Sequence, residues 1–248
     1  MWPYPKVIAH RGGGILAPEN TLAAMRCGLE HGFAAVEFDV MLSKDGIPVL
    51  MHDPEFGRTV SGHGAVADTL AADLQKKDAG KWLAERFAGE PVPLYADIVH
   101  FCRQHGIWMN VEIKPAPGVE EETGRVVAEQ TQALFADVAV TDDLHLPLFS
   151  SFSFSALMAA KHAAPTIPRG FLMDKVTRDW KACLQELAAR ALHTNHKYLT
   201  PEMTKEIKDG GYGVFCYTVN TPERATEILH WGVDAFCTDR IDLIPADF

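Results

Sequence analysis

The sequence predicts a single α/β domain with the architecture of a (β/α)8 barrel. Apolar segments of strand length recur along the 248 residues, and amphipathic segments of helix length lie between them. Most of the apolar segments lack the alternation of a strand with one wet face, which is typical of a parallel sheet covered on both sides. A chain of this length suits one barrel and is long for other single domains.

The predicted elements alternate in the order that a barrel requires. The eight predicted strands are 7–10, 35–40, 107–113, 146–150, 170–173, 191–194, 214–219 and 235–238. The seven predicted helices are 21–31, 94–105, 121–135, 154–162, 178–189, 201–209 and 222–231. Thr200 and Thr221 are each followed by Pro and Glu, which indicates a helix N-cap, a proline in the first helical position and an acid in the first turn.

One apolar segment, 47–52, follows the second strand with no helix between them. The dipeptide Asp45-Gly46 lies in the gap, and this dipeptide between two alternating segments predicts a β-hairpin. A two-residue turn there pairs Asp39 with His52. We therefore expect the side chains of Asp39 and His52 to be direct cross-strand neighbours.

From residue 54 to about residue 91 the alternation of strands and helices stops. Glycines punctuate a mixed polar segment that contains only short helical stretches. Excursions of this length from a strand end are usually functional loops or small subdomains. We therefore expect one domain over residues 1–248, with a small inserted cap at 54–91 beside the active site.

The charge of the chain limits its partners. Asp and Glu number 33 against 23 Lys and Arg, which gives a formal net charge of −10. Binding a polyanion needs a basic face, so we expect neither nucleic acid nor stable membrane association. A small phosphorylated substrate is compatible, since a metal ion and a few cations can reverse the local potential. The oligomeric state is not determined by these features.

Cysteine usage and the first residues favour a cytoplasmic location. The five cysteines are an odd number without a C-x-x-C pair, and most lie in apolar segments, which is typical of reduced, buried thiols. Residues 2–6 lead directly into the first strand without the apolar stretch of a signal peptide. No apolar run reaches the roughly 18 residues of a membrane span.

Three carboxylates interrupt apolar strands near their carboxyl ends, where barrels place their active sites. Glu37 and Asp39 share one face of the second strand, because side chains alternate along a strand, and Glu112 lies on the third. If these carboxylates faced the outer helices, they would be costly buried charges. The alternative to a functional site is that they form an ion pair or cap a helix. Oxygen ligands favour Mg²⁺, Ca²⁺ or Mn²⁺ over zinc, so we expect a divalent metal ion.

Two histidines and two cations accompany these acids. His10 and His52 end apolar segments, and imidazole suits proton transfer because its unperturbed pKa is about 6.5; a core histidine or a metal ligand is the alternative for His10. Arg11 follows His10, and Lys114 projects to the same side of its strand as Glu112, with which it could form an ion pair. Together these groups suit the cleavage of a phosphate ester.

Several short motifs follow one another in fixed order along nearly the whole chain. They are His10-Arg11-Gly12, Pro18-Glu19-Asn20-Thr21, Val36-Glu37-Phe38-Asp39-Val40, Lys44-Asp45-Gly46, Val49-Leu50-Met51-His52-Asp53, Val111-Glu112-Ile113-Lys114, Ser150-Ser151-Phe152, Thr218-Val219-Asn220 and Asp234-Ala235-Phe236-Cys237-Thr238-Asp239. This set resembles the glycerophosphodiester phosphodiesterases, and most of all their short cytoplasmic bacterial type.

The resemblance implies a TIM barrel with a small insertion after the second histidine. It implies the hydrolysis of glycerophosphodiesters to sn-glycerol 3-phosphate and an alcohol. By motif, the two histidines correspond to the acid and the base of the family, the three carboxylates to its metal ligands, and the two cations to its phosphate contacts. The nucleophile, either the glycerol 2-hydroxyl or water, and the assignment of acid and base between the histidines stay open.

Four further residues are candidate substrate contacts. Glu19 and Asn20 fall in a family motif close to the site. Phe152 and Tyr217 are expected in the pocket wall, with packing in the core as the alternative. Many members resemble this chain around Tyr217 but carry Trp there, so this position bears on the preferred head group.

Two alternative functions are compatible with the same residues. A phosphodiesterase that acts on lysophospholipids would need an apolar docking surface, which the acidic chain does not suggest. A non-catalytic barrel that binds a phosphorylated head group would be expected to lack a histidine or a metal acid. None of these is missing from the sequence.

Overall fold

A computed structural model describes residues 2–138 and 145–248 of the chain. The strands are β1 Val7–Ala9, β2 Ala35–Leu42, β3 Pro48–Leu50, β4 Trp108–Ile113, β5 Leu148–Ser151, β6 Arg169–Met173, β7 Ala191–Asn195, β8 Gly213–Tyr217 and β9 Ala235–Thr238. All except β3 pair in parallel, and β1 pairs with both β2 and β9. The sheet is therefore a closed eight-stranded barrel, as predicted.

Helices separate the barrel strands at the predicted places. They are α1 Leu22–Glu30, α2 Ala71–Leu74, α3 Tyr95–Gln104, α4 Glu120–Leu134, α5 Phe154–Ala163, α6 Trp180–Leu187, α7 Pro201–Asp209 and α8 Pro222–His230. The two predicted N-caps are present, since the side chains of Thr200 and Thr221 accept hydrogen bonds from the backbone N–H groups of Met203 and Arg224. In the described ranges, no helix combines the length and the apolar composition that crossing a membrane requires.

The barrel interior is apolar at one end and polar at the other. Tyr4 stacks on Trp108 with ring centroids 4.4 Å apart, and both rings belong to a buried cluster with Phe215. These side chains close the amino-terminal end of the barrel. The acidic residues of β2 and β4 lie further along their strands, so the open and polar end is the carboxyl end, where barrels carry their active sites.

The hairpin between β2 and β3 forms, but its predicted register is wrong by one residue. Val40 lies opposite Leu50, and the backbone N–H of Met51 donates to the carbonyl oxygen of Asp39 over 3.3 Å. Met51 is therefore the cross-strand partner of Asp39, in place of His52. His52 lies beyond the end of β3, and it lines the same cavity at the carboxyl end of the barrel as Asp39.

The error arises because the turn contains three residues instead of two. The N–H of Ser43 donates to the carbonyl of Ile47, and the N–H of Gly46 donates to the carbonyl of Ser43. Gly46 has a φ of 74°, while Asp45 is not among the residues with positive φ. A two-residue type I′ turn needs positive φ at both positions, whereas the observed loop has one left-handed residue at its end.

Residues 54–91 contain three short helical segments, the helix α2 and two 3₁₀ turns at Val66–Asp68 and Glu85–Phe87. Apolar side chains of this segment and of the β2–β3 hairpin form a cluster separate from the main core. This cluster comprises Met41, Val49, Met51, Val60, Val66, Ala71, Leu74, Ala79 and Val92. The segment thus packs on the face of the β2–β3 hairpin that also carries Asp39, next to the carboxyl end of the barrel.

Candidate active site

Three carboxylates, two of them buried and that of Glu112 half-buried, converge at the carboxyl end of the barrel. Glu37, Asp39 and Glu112 each present an oxygen atom, and these atoms lie within 4.8 Å of one another. The register explains this convergence, because Asp39 pairs with Glu112 across β2 and β4, while Glu37 shares the face of Asp39. The sequence predicted this group, and the structure brings its three members together.

The carboxylates repel one another strongly. Burial, together with the charge of Asp39, raises the pKa of Glu37 and raises that of Glu112 well above its ordinary value. Burial also acts to raise the pKa of Asp39, but Lys114, Arg11 and His52 outweigh it and lower that pKa. A divalent cation would relieve this repulsion, and the donor set is entirely oxygen, as Mg²⁺ and Ca²⁺ prefer. The residues therefore fit a hard metal ion.

The two predicted cations both pair with Asp39. Nζ of Lys114 lies 3.3 Å from Oδ1 of Asp39, and Nε of Arg11 lies 3.5 Å from its Oδ2. The ion pair that the sequence suggested between Lys114 and Glu112 is thus formed with Asp39 instead. Both cations also line the cavity that holds the three carboxylates.

Asn20 fixes Asp39 from behind. Its amide Nδ2 donates to Oδ2 of Asp39 over 2.8 Å, and its Oδ1 accepts from the Asp39 backbone N–H over 3.0 Å. Asn20 has a φ of 58°, a conformation that asparagine tolerates better than most residues. Asn20 does not line the cavity that holds the three carboxylates. It holds Asp39, which does.

His10 is held by a carboxylate that directly follows the last strand of the barrel. Its Nδ1 lies 2.5 Å from Oδ1 of Asp239, and its Nε2 lies 3.7 Å from Oε2 of Glu37. Asp239 is fixed in turn by Asn220, which donates to its Oδ2 over 2.9 Å and accepts from its backbone N–H over 2.8 Å. Burial acts to raise the pKa of Asp239, but the hydrogen bond and charge of His10, together with the hydrogen bond from Asn220, outweigh it and lower that pKa.

His52 has an equivalent partner, which is its neighbour in sequence. Its Nδ1 lies 2.7 Å from Oδ1 of Asp53, whose other oxygen accepts from Nε of Arg58 over 2.7 Å. Burial acts to raise the pKa of Asp53, but the hydrogen bonds from Arg58 and His52 outweigh it and lower the pKa.

Both imidazoles are consequently oriented in the same way. An ionised carboxylate can only accept hydrogen bonds, so Nδ1 of each ring carries the hydrogen. Nε2 of each ring is then the atom available for proton transfer. His10 and His52 both line the cavity of about 230 Å³ that contains the three carboxylates.

Two aromatic residues form part of the cavity wall, as predicted. Phe152 and Tyr217 contact each other edge to face with centroids 5.8 Å apart, and both line the cavity. Phe152 is 51% exposed, which places it at the mouth. The Tyr217 hydroxyl is buried and has no hydrogen-bond partner among the described residues.

Glu19 acts as a bridge beside the cavity. Its Oε1 accepts from the Arg11 side chain over 2.8 Å, and its two oxygens accept from Arg58 over 2.6 and 2.7 Å. Burial acts to raise the pKa of Glu19, but the Arg58 hydrogen bond and Arg11 outweigh it and lower the pKa. Glu19 does not line the cavity that holds the three carboxylates. Its contact with that cavity is through Arg11, which it holds in place.

Sequence reasoning assigned no role to Asp53, Asp239, Asn220 and Arg58. A signal existed for Asp53 and Asp239, since one directly follows His52 and the other directly follows β9. Asn220 lies in the motif Thr218-Val219-Asn220, but nothing in that motif indicates its contact with Asp239. Arg58 carries no signal, because it contacts Glu19 and Asp53, and only the fold brings Glu19 near it.

Comparisons with known proteins identify the family of this chain. Residues 10–243 match the model of the glycerophosphoryl diester phosphodiesterase family. The chain belongs to this family. A glycerophosphodiester phosphodiesterase of Caldanaerobacter subterraneus subsp. tengcongensis is 32% identical over 238 residues, which cover 94% of this chain and 93% of the relative. Membership in the family assigns the chain to the phosphoric diester hydrolases.

Solved structures of the family share the barrel. A phosphodiesterase of Oleispira antarctica, solved with its product sn-glycerol 3-phosphate, is 35% identical and has a TM-score of 0.89, with 98% of this chain and 95% of that chain covered. A glycerophosphodiester phosphodiesterase of Agrobacterium tumefaciens is 26% identical with a TM-score of 0.80, covering 98% and 100% of the two chains.

Proposed function

We propose that this protein is a metal-dependent hydrolase of glycerophosphodiesters such as glycerophosphocholine and glycerophosphoethanolamine, which releases sn-glycerol 3-phosphate and an alcohol. The proposal is carried by one cavity in which three carboxylates, two oriented histidines and two cations meet. The Oleispira antarctica relative holds sn-glycerol 3-phosphate as product, which supports the same product here.

Glu37, Asp39 and Glu112 would hold the metal, which we propose to be Mg²⁺ or Ca²⁺, with Mn²⁺ as a substitute. When bound, a divalent cation adds positive charge beside the phosphoryl oxygens and polarises the phosphorus centre. The repulsion among the three carboxylates supports this assignment, because it leaves the site short of positive charge.

Arg11 and Lys114 bind the phosphate in this proposal. A phosphodiester anion resists nucleophiles through its own charge, and cations aimed at its non-bridging oxygens stabilise the charge that develops in the transition state. Both side chains line the cavity and both already neutralise Asp39, so they lie where an anion next to the carboxylates would need them.

His10 and His52 transfer protons. One accepts a proton at Nε2 from the nucleophile, and the other donates a proton from Nε2 to the oxygen of the departing alcohol. Positioned acid-base groups of this kind typically contribute about 10²- to 10⁴-fold to the rate. The nucleophile is water, or it is the glycerol 2-hydroxyl, which forms a cyclic phosphate that water then opens; ³¹P NMR during turnover distinguishes the two by the transient cyclic species.

We further propose that residues 54–91 act as an inserted cap within a single domain, and that the protein works in the cytoplasm. The packing of the segment against the β2–β3 hairpin supports the first proposal. The second is supported by the five cysteines, all of which are free thiols, as is typical of a reducing compartment.

The decisive experiment incubates the purified protein with glycerophosphocholine and measures sn-glycerol 3-phosphate with a coupled dehydrogenase. We expect turnover with a divalent metal, its loss with EDTA, and its return when Mg²⁺, Ca²⁺ or Mn²⁺ is added in excess. Absence of turnover with every metal would contradict the proposal. Faster turnover of lysophosphatidylcholine than of glycerophosphocholine would assign the protein to lysophospholipids instead.

A further inference from the structure

Arg58 lies in the 54–91 segment, outside the lining of the active-site cavity, yet its guanidinium contacts two carboxylates that touch cavity residues. It donates through Nη1 and Nη2 to both oxygens of Glu19, over 2.6 and 2.7 Å. Its Nε donates to Oδ2 of Asp53 over 2.7 Å. The planar fork of arginine is suited to this two-sided contact, which lysine cannot reproduce.

These contacts close a chain of charges across one side of the active site. Arg11, Glu19, Arg58, Asp53 and His52 follow one another, with each pair joined by a hydrogen bond of 2.6 to 2.8 Å. The chain begins at the arginine that we propose to bind phosphate and ends at the histidine that we propose to transfer a proton. Arg58 is the central member of this chain, and it is the member that the inserted segment contributes.

Stability alone is a weak explanation of this arrangement. The Arg58 side chain is 45% exposed, and an isolated exposed ion pair contributes only about 0 to 1 kcal/mol to the free energy of unfolding, although a bidentate pair within a network contributes more. Orientation of a reacting group is worth much more, since a misplacement of about 1 Å can cost about 10²-fold in rate. The Asp53 side chain is 29% exposed, so without Arg58 it is free to turn towards solvent and to release Nδ1 of His52.

We propose that Arg58 is a positioning residue for the hydrolysis, acting through Asp53 on His52 and through Glu19 on Arg11. Asp53 then keeps the hydrogen on Nδ1 of His52 and leaves Nε2 available to the substrate. Glu19 keeps Arg11 directed at the cavity. This role rests on the proposed function, because it presumes that the two residues at the ends of the chain act on a phosphodiester.

The test compares the metal-loaded wild type with Arg58→Ala and Arg58→Lys, using glycerophosphocholine. We expect Arg58→Ala to lower kcat by about 10- to 100-fold with little change in Tm, and Arg58→Lys to recover only a small part of the loss. Millimolar guanidinium should restore part of the activity of Arg58→Ala, since the exposed side chain leaves a space open to solvent. The matched control is Arg86→Ala, which removes an arginine of the same segment whose guanidinium lies over the Phe87 ring; we expect wild-type kcat.

A double-mutant cycle separates positioning from a general structural effect. If Arg58 acts through Asp53, the Asp53→Asn/Arg58→Ala double variant loses less activity than the product of the two single losses. Additive losses, or an Arg58→Ala kcat within twofold of wild type, would overturn the positioning role while leaving the hydrolysis intact. An inactive wild type would overturn the proposed function, and this role with it.

Discussion

Each of the two histidines of the site contacts an aspartate through Nδ1, but the two aspartates are held in place by very different parts of the structure. His10 is held by Asp239, and these two residues lie 229 positions apart in the chain. Asn220, in the loop that follows the neighbouring strand β8, holds Asp239 in place. His52 is held by the adjacent Asp53, which Arg58 fixes from the inserted segment. The side chain of His10 is 16% exposed and that of His52 is 30% exposed. One imidazole is thus built into the barrel, and the other lies at the edge where the insertion begins.

This difference shows that the same imidazole–carboxylate contact can be produced by two kinds of structure. In the barrel, strand pairing brings distant residues together and excludes water, so the orientation of His10 depends on the global fold. At the insertion edge, short-range hydrogen bonds suffice, but they are more exposed and depend on a single arginine. We expect the two sides to be equally necessary for the reaction and unequally sensitive to changes in their supporting residues.

The largest expected effects come from the histidines themselves. His10→Ala and His52→Ala should each lower kcat/KM by about 10³-fold or more, because each removes a proton-transfer group. Metal binding, measured by calorimetry with Mn²⁺, should be largely intact in both variants. Activity near the wild-type level in either variant would refute the acid-base role of that residue and break the equivalence of the two sides.

The three carboxylates line the same cavity as the two histidines, and a Glu112 variant tests their proposed role as metal ligands. Glu112→Gln should weaken metal binding and activity, because it removes one anionic ligand. In the metal-free protein the same change should raise the free energy of unfolding on the order of 1 kcal/mol, since a neutral side chain escapes the repulsion that raises the Glu112 pKa. Thermal unfolding with EDTA and with excess Mg²⁺ measures both effects, and the same sign in both conditions would contradict a metal site.

The supporting carboxylates sharpen the comparison directly. Asp239→Asn should lower kcat by about 10²-fold, since an amide in this position favours the wrong tautomer of a buried ring. Asp53→Asn should cost about tenfold, because the more exposed His52 can exchange its partner for water. The control is Asp242→Asn, which breaks only a surface pair with Arg240. Equal losses in the two variants would show that the difference in support has no kinetic consequence.

The smallest expected effect concerns the turn that sets the register beside His52. Gly46→Ala should destabilise the protein by about 1 kcal/mol, because Gly46 has a φ of 74° that alanine adopts at a cost. No atom lies within 4 Å of the added Cβ, so activity should be unchanged. Urea denaturation measures the effect, with the exposed Lys44→Ala as control. An unchanged midpoint for Gly46→Ala would argue against the three-residue turn.

The sequence by itself determined the barrel and most members of the site. Periodicity placed all eight barrel strands and the helices between them, because a strand buried on both faces and an amphipathic helix leave distinct apolar patterns. The same patterns marked Glu37, Asp39 and Glu112, since a carboxylate in an apolar strand end needs a chemical reason. For His52 the sequence even placed its supporting carboxylate next to it.

Only the tertiary structure decided the finer geometry. The register of the β2–β3 hairpin depended on the φ of a single turn residue, so Asp39 faces Met51 although the dipeptide Asp45-Gly46 suggested otherwise. Other contacts join residues whose spacing in the chain carries no signal. They are the ion pair of Lys114 with Asp39, the hydrogen bonds of Asn220 with Asp239, and the hydrogen bonds of Arg58 with Glu19 and Asp53. Local patterns report burial and direction along one element, whereas contacts between elements are fixed by closure of the barrel, which no local pattern contains.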